Sequence, residues 1–205
     1  RPLVITESLF SMEGTSAPIK EISKLCIKYD SKLLIDEAHA FGVMGSGGRG
    51  ESFGVKEPIS IISGTFGKAF GSGGAFLATD KITGENLIQS CGAFRYTTAL
   101  APPLCASALA ALYLIKRNPS WGSELQQKSI ALRDKLAQLG LPRPLGKGPI
   151  ISIILGSDEL AINHQKKLEF QGLLTVAIRP PTVPEGKSRL RLIIRRNTPI
   201  KAFER

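Results

Sequence analysis

The sequence has 205 residues, 42% of them hydrophobic and 21% charged. That is enough for one substantial core or two small domains, and it is not the composition of a disordered chain. The longest apolar stretch, Ala99 to Ile115, is broken by Pro102-Pro103 and is too short for a membrane span. A net charge of +10 raises the question of nucleic acid, but Lys and Arg are dispersed rather than gathered in runs. The charge therefore points at most to an anionic substrate, with no nucleic acid and no membrane as partner.

A strand-like run, Leu3 to Thr6, follows almost directly on Arg1, and no secretory leader is expected. A helix is predicted from about Pro18 to Tyr29, with Ile19, Ile22, Leu25 and Cys26 on its apolar face. Lys32 to Asp36 reads as a short buried strand. Glycines at 42, 45, 47, 48 and 50 make a loop, Ile59 to Ser63 the next strand, and Gly71 to Gly74 a turn into a strand at Ala75 to Thr79. Strands alternating with helices predict an α/β sheet.

From Pro102 the pattern turns to long helices. The first runs from Pro102 to Arg117, with its proline pair at the start, where proline is tolerated. Ser123 can N-cap a second, whose Leu125, Leu132, Leu136 and Leu139 form an apolar stripe. Gly140 to Pro149 reads as a linker. A smaller α/β unit follows: a strand at Ile150 to Leu155, a helix at Ser157 to Gln171, and strands at Thr175 to Ile178 and Arg189 to Arg196. In the last strand Leu190, Leu192 and Ile194 alternate with Arg189, Arg191 and Arg195, as in a sheet with one wet face. Thr198 to Arg205 reads as the opening of a helix that is cut off, so the sequence is expected to be an interior or C-terminal piece of a longer protein. Cys26, Cys91 and Cys105 lack metal or redox spacing and are expected to be buried thiols in a reducing cytoplasm.

Polar residues collect where open α/β sheets bind ligands, at strand ends and in the loops after them. Asp36-Glu37-Ala38-His39 ends one strand, Thr65-Phe66-Gly67-Lys68 ends the next, and the glycine loop lies between. A carboxylate, an imidazole and a lysine at one sheet edge suit pyridoxal 5′-phosphate (PLP). That cofactor needs a lysine amine for an imine, an anion against its pyridinium nitrogen, a donor near its phenolic oxygen and small donors for its phosphate. Lys68, Asp36, His39 and Thr65 are the candidates in that order, with Lys68 also the proton-transfer base. The plainer alternative is a solvated lysine and a solvated aspartate at loop edges.

Two rival motifs overlap these residues. Leu33 to His39 also matches the magnesium-binding strand of a DEAH-type helicase, and Ser63-Gly64-Thr65 falls near such an enzyme's Ser-Ala-Thr triplet. Gly45-Ser46-Gly47-Gly48-Arg49-Gly50 fits G-x-G-x-x-G, a weak signal in so glycine-rich a loop with no helix-forming stretch after it.

Four segments in order resemble the α-oxoamine synthases, PLP enzymes of the aspartate-aminotransferase fold. They are Thr6 to Gly14, Ile35 to His39, Gly64 to Gly71 and Tyr96 to Pro103. The helicase pattern accounts well for only one of them. The resemblance implies a fold type I PLP-dependent transferase: a partial large domain with a mostly parallel sheet at 1–118, a connecting helix and linker at 119–148, and a small C-terminal α/β domain at 149–205. It implies that Ser11 sits near the cofactor's phenolic oxygen and that Thr98 reaches the phosphate of a neighbouring subunit in a homodimer with shared active sites. Arg179 would bind the substrate carboxylate, where a bidentate guanidinium fits. Glu7 matches the family pattern without an assigned role.

Ala177 to Pro184, followed by Arg189 to Leu192, is most similar to the branch of the family that serves biotin synthesis. The implied reaction condenses L-alanine with a pimeloyl thioester of CoA or a carrier protein and releases CO2. Ala40 stands where that branch usually has glycine. Glycine-using siblings and a non-catalytic paralogue are the alternatives. The family's N-terminal half carries the ring-stacking group and further phosphate contacts, so this sequence alone is expected not to turn over.

Overall fold

The computed structural model describes residues 1–199 and 202. The chain divides into two compact units, one of 1–9 and 16–122, the other of 10–15 and 123–205.

The first unit is built on four strands: β1 (Leu3–Glu7), β2 (Lys32–Asp36), β3 (Ile61–Thr65) and β4 (Ala75–Thr79). They lie in the order β1-β2-β3-β4, the first three parallel and β4 antiparallel to β3. Leu33 and Ile35 of β2 are fully buried, as an interior strand of a parallel sheet requires. Helix α1 (Ile19–Lys28) crosses from β1 to β2, ending one residue inside the predicted span on each side. Its buried residues are Ile19, Ser23 and Cys26, while Leu25 is exposed. The seam follows the one-turn spacing of 19, 23 and 26, and Leu25 falls outside it.

The third strand begins two residues later than the sequence suggests. Pro58 has no N–H to give a ladder. The Ser60 hydroxyl then takes the Leu33 N–H at 3.2 Å in place of a carbonyl, and the Ser60 carbonyl accepts from the Thr79 hydroxyl at 2.8 Å. Two short helices escape the sequence reading altogether, α2 (Lys81–Ser90) and α3 (Gly92–Arg95). The signal for α2 was there: Asp80 caps it by accepting from the Thr83 N–H at 2.9 Å. Helix α4 (Pro102–Arg117) has the predicted bounds and buries none of its residues.

Helix α5 (Trp121–Gln138) starts ahead of the expected cap, with the Trp121 N–H on the Asn118 carbonyl at 3.1 Å, so Ser123 lies inside it. Its seam holds Leu125, Ser129, Leu132 and Arg133, whereas Leu139 lies beyond the helix end and is exposed. In the second unit β5 (Ile150–Gly156), β6 (Val176–Ile178) and β7 (Ser188–Ile193) form an antiparallel sheet in the order β5-β7-β6. Helix α6 (Asp158–Phe170) packs on it, capped by Ser157, whose hydroxyl accepts from the Leu160 N–H at 3.2 Å.

Of the wet arginine face expected on the last strand, only Arg195, beyond the end of β7, is exposed. Arg189 is 4% exposed and Arg191 is only partly exposed. The 10–15 segment covers them: Arg189 donates to the Glu13 carboxylate at 3.0 Å, and Arg191 to the Ser11 carbonyl at 2.7 Å. Of the three cysteines only Cys26 is buried; Cys91 is intermediate and Cys105 exposed. Cys105 follows the exposure of α4, whose apolar residues also lie at the surface of this chain. The helix expected at Thr198 to Arg205 falls largely outside the described residues.

Candidate active site at the parallel strand ends

Parallel strands deliver their C-terminal ends to one edge of the sheet. Glu7, Asp36 and Ser63 stand in register across β1, β2 and β3, so the loops after these strands share that edge. It carries Asp36 at the end of β2 with His39 after it, and Thr65 at the end of β3 with Lys68 after it, four of the predicted site residues.

Asp36 is held by a local turn, its Oδ1 accepting from the Ala38 N–H at 2.8 Å. His39 is half-buried in the turn that follows. That turn packs on the lysine loop: a Cβ on Gly42 would lie 2.7 Å from the Ala69 Cβ, so only glycine fits there. Phe41 stacks on Phe70 at 4.8 Å between ring centroids, and Phe66 and Phe76 complete a four-ring cluster beneath the loop. Ala40, the departure from the family pattern, is fully buried with its methyl accommodated.

The lysine loop is closed at its stem. Phe66 donates to the Gly74 carbonyl and Ser72 to the Phe66 carbonyl, both at 2.9 Å, and Gly71 caps the turn on the Lys68 carbonyl at 3.0 Å. The Thr65 hydroxyl donates to the Gly74 carbonyl and accepts from the Gly67 N–H, both at 3.1 Å. Its single proton is thus engaged within the loop, and a phosphate donor role would require it to turn. Lys68 is exposed, and among the described residues its amine has no hydrogen bond or ion pair.

Three amides of the glycine loop are committed within the loop rather than offered to a phosphate: Gly42 donates to the Gly48 carbonyl, Gly48 to Gly45 and Gly50 to Met44. Glu37 argues against the helicase pattern in the same way. It is 1% exposed, and its carboxylate accepts from the Ser8 hydroxyl and from the amides of Glu51 and Ser52. A carboxylate so engaged does not serve a water.

Thr98 is exposed in the segment between α3 and α4. Ser11 and Arg179 belong to the second unit. Arg179 is exposed just after β6, and its carbonyl closes the turn by accepting from Thr182 at 3.0 Å. Sequence reasoning missed Glu37, Ser8 and the phenylalanine cluster. The alternation of side chains along a strand was the available signal for Glu37, since two neighbouring acids at a strand end cannot both face the edge solvent. No group of three or more metal-ligating side chains occurs among the described residues, and no helix there is long and apolar enough to cross a membrane.

The family model for aminotransferase class I and II matches residues 1–199. Among curated proteins, 8-amino-7-oxononanoate synthase of Anaeromyxobacter dehalogenans is 40% identical over 196 residues, 95% of this chain and 49% of that protein. The enzyme of the same name from Cellvibrio japonicus is 37% identical over 95% of this chain and 50% of its own length. The chain thus spans about half the length of the curated relatives it matches. Among solved structures, serine palmitoyltransferase of Sphingomonas wittichii superposes with a TM-score of 0.91 at 29% identity, over 98% of this chain and 52% of that one. The 8-amino-7-oxononanoate synthase of Francisella tularensis gives 0.85 at 29% identity, over 100% and 60%.

Proposed function

The chain belongs to the aminotransferase class I and II family, and from that premise we propose that it forms the lysine-bearing part of a PLP-dependent α-oxoamine synthase. Its fold is that of the fold type I PLP-dependent transferases. We read the first unit as the C-terminal part of the cofactor-binding large domain and the second as the small C-terminal domain. The reaction is decarboxylative condensation of L-alanine with a pimeloyl thioester of CoA or a carrier protein, giving 8-amino-7-oxononanoate and CO2. The observation that carries this reading is the shared strand edge, where Asp36, His39 and the Lys68 loop meet.

The residues suit the cofactor chemically. Lys68 offers an amine without a competing partner, and Asp36 a carboxylate of which one oxygen is oriented by Ala38. Bound there, PLP supplies an electron sink for the carbon that loses its proton. Asp36 keeps a proton on the ring nitrogen by opposing its charge, and His39 donates to the phenolic oxygen, with Ser11 beside it. Lys68 would hold the cofactor through its amine, and its nitrogen would also take the proton from the amino acid's Cα. Arg179 pairs with the substrate carboxylate through two parallel N–H groups. Thr65, and Thr98 of a neighbouring subunit, serve the phosphate. A homodimer agrees with the exposed apolar residues of α4, among them Leu109, Leu112 and Leu114. A cytoplasmic location follows from the reaction class.

A sibling reaction is the second reading, because serine palmitoyltransferase, an enzyme with another amino-acid substrate, superposes with the higher TM-score. The test is an absorbance spectrum of the full-length protein with PLP, followed by borohydride reduction and peptide mapping. A band near ~420 nm that reduction fixes on Lys68 is expected for a lysine-bound PLP. A protein that takes up no PLP sinks the proposal. Comparing alanine, glycine and serine, each with pimeloyl and longer acyl thioesters, separates the two readings.

A further inference from the structure

We propose that Glu37, which lies between Asp36 and His39, is a positioning residue of this site that sets the geometry of both through its buried carboxylate. The inference rests on the functional reading above for what is positioned, and on the geometry for how.

Glu37 is a node where four pieces of chain meet. Its own N–H donates to the Ser63 carbonyl at 2.8 Å, tying the end of β2 to β3. Its carbonyl accepts from Ala40 at 2.9 Å and Phe41 at 2.7 Å, closing the turn that carries His39. Its carboxylate reaches back to the end of β1, where Oε2 accepts from the fully buried Ser8 hydroxyl at 2.7 Å. It also reaches forward to the exit of the glycine loop, where Oε2 accepts from Glu51 N–H at 3.1 Å and Oε1 from Ser52 N–H at 2.6 Å. Gly50 lies flat against it: a Cβ there, at φ +94°, would sit 2.6 Å from the carboxyl carbon.

Among the described residues no cation pairs with this carboxylate. Backbone N–H groups face both of its oxygens, and an N–H can only donate. A carboxylate accepts on both sides. A carboxamide cannot: in either orientation its NH2 meets the Glu51 or the Ser52 amide, leaving a buried donor facing a donor. Glu37→Gln is therefore nearly isosteric yet breaks the clamp, whereas Glu37→Asp keeps both acceptors on a shorter arm. Ser8→Ala removes one donor and leaves the rest.

The test uses the full-length protein in these three variants, with two independent readouts. Hydrogen exchange reports the clamp, and PLP absorbance against pH, with kcat and KM for alanine, reports the site. In Glu37→Gln the amides of residues 51 and 52 should exchange about tenfold faster or more, with those of β5 to β7 unchanged. The pH midpoint of the Lys68-bound chromophore should shift, and kcat should fall about 10- to 100-fold, the range typical of groups that orient a ligand-contacting residue, with KM for alanine little changed. Glu37→Asp should recover part of each effect, and Ser8→Ala should show a smaller effect of the same sign. Unchanged exchange in Glu37→Gln overturns the clamp. Faster exchange with a wild-type chromophore midpoint and kcat overturns the positioning role. If Glu37→Gln fails to fold, the aspartate and Ser8→Ala variants decide on the same criteria. A wild-type protein that takes up no PLP overturns the functional reading and the positioning role with it, while the exchange data still report whether the clamp exists.

Discussion

Arg189 Nη1 lies 3.0 Å from Glu13 Oε1, so that residues 176 positions apart in sequence fasten the segment holding Ser11 to strand β7. The arginine side chain is 5% exposed and the glutamate 51%, which makes the two ends unequal. Removing the buried cation leaves a solvated carboxylate, whereas removing the carboxylate leaves a buried guanidinium with, among the described residues, only the Lys187 carbonyl.

Glu13→Gln retains an acceptor oxygen and should cost about 1 kcal/mol. Glu13→Ala strands the arginine and should cost about 2–3 kcal/mol, more than its exposure suggests. Urea unfolding of both variants measures the difference, and equal losses would show that the retained amide oxygen contributes nothing and the carboxylate charge carries the whole contact.

Among the described residues Arg133 is the largest fully buried side chain, and its hydrogen bonds there all go to oxygen acceptors. It donates to the carbonyls of Ser129, Leu145 and Ile150 and to the Ser129 hydroxyl. Arg133→Met leaves these acceptors buried without donors and should destabilise by about 3 kcal/mol or more. Burial first, and the charge of Arg143 second, bring the guanidinium down to about 10. The folded value lies below the unfolded one, so the native state sheds this proton first and the group's contribution grows only above about pH 10. Between roughly pH 6 and 9 both states keep it, and the stability gap between wild type and Arg133→Met should be flat.

Gly45 and Gly54 both have positive φ, at +72° and +86°, but in different surroundings. A Cβ on Gly45 would lie 1.9 Å from the Gly50 carbonyl oxygen, while one on Gly54 meets nothing within 4 Å. Gly54→Ala should cost only the left-handed backbone penalty, about 1 kcal/mol. Gly45→Ala should cost about 3 kcal/mol or more, because backbone must also move. Thermal unfolding of the pair distinguishes conformational strain from overlap.

The Thr83 hydroxyl first, and its amide second, hold the Asp80 carboxyl below its ordinary value at the start of α2. A lowered folded value means that the stabilisation is present above the unfolded carboxylate range and is lost as pH falls through the folded one. The Thr83 amide should therefore lose exchange protection in acid, and Asp80→Asn should largely remove that pH dependence.

How much was legible in the sequence differs from residue to residue for a physical reason. The bounds of β2, β4 and α4 could be read directly, since each is set by local punctuation: Asp36 at a strand end, Gly71 to Gly74 before a strand, the proline pair at a helix start. The candidate residues Asp36, His39 and Lys68 were legible as motifs, and the parallel register then placed their loops at one edge. The start of β3 was not legible, because it depends on Ser60 bonding to Leu33, 27 residues away.

By itself the sequence determined which segments become strands and helices and which side chains are chemically equipped for the site, because propensity, capping and turn chemistry act within a few residues. Tertiary structure decided which polar groups remain available. It turned the arginines of β7 inward onto Glu13 and Ser11, engaged the Thr65 proton within its own loop and committed the amides of Gly42, Gly48 and Gly50 within theirs. It also buried Glu37 beneath donors 14 and 15 residues further on. Those outcomes rest on hydrogen-bond partners that only the folded chain brings within reach, and alternation along a strand cannot say which of two neighbouring acids will find them.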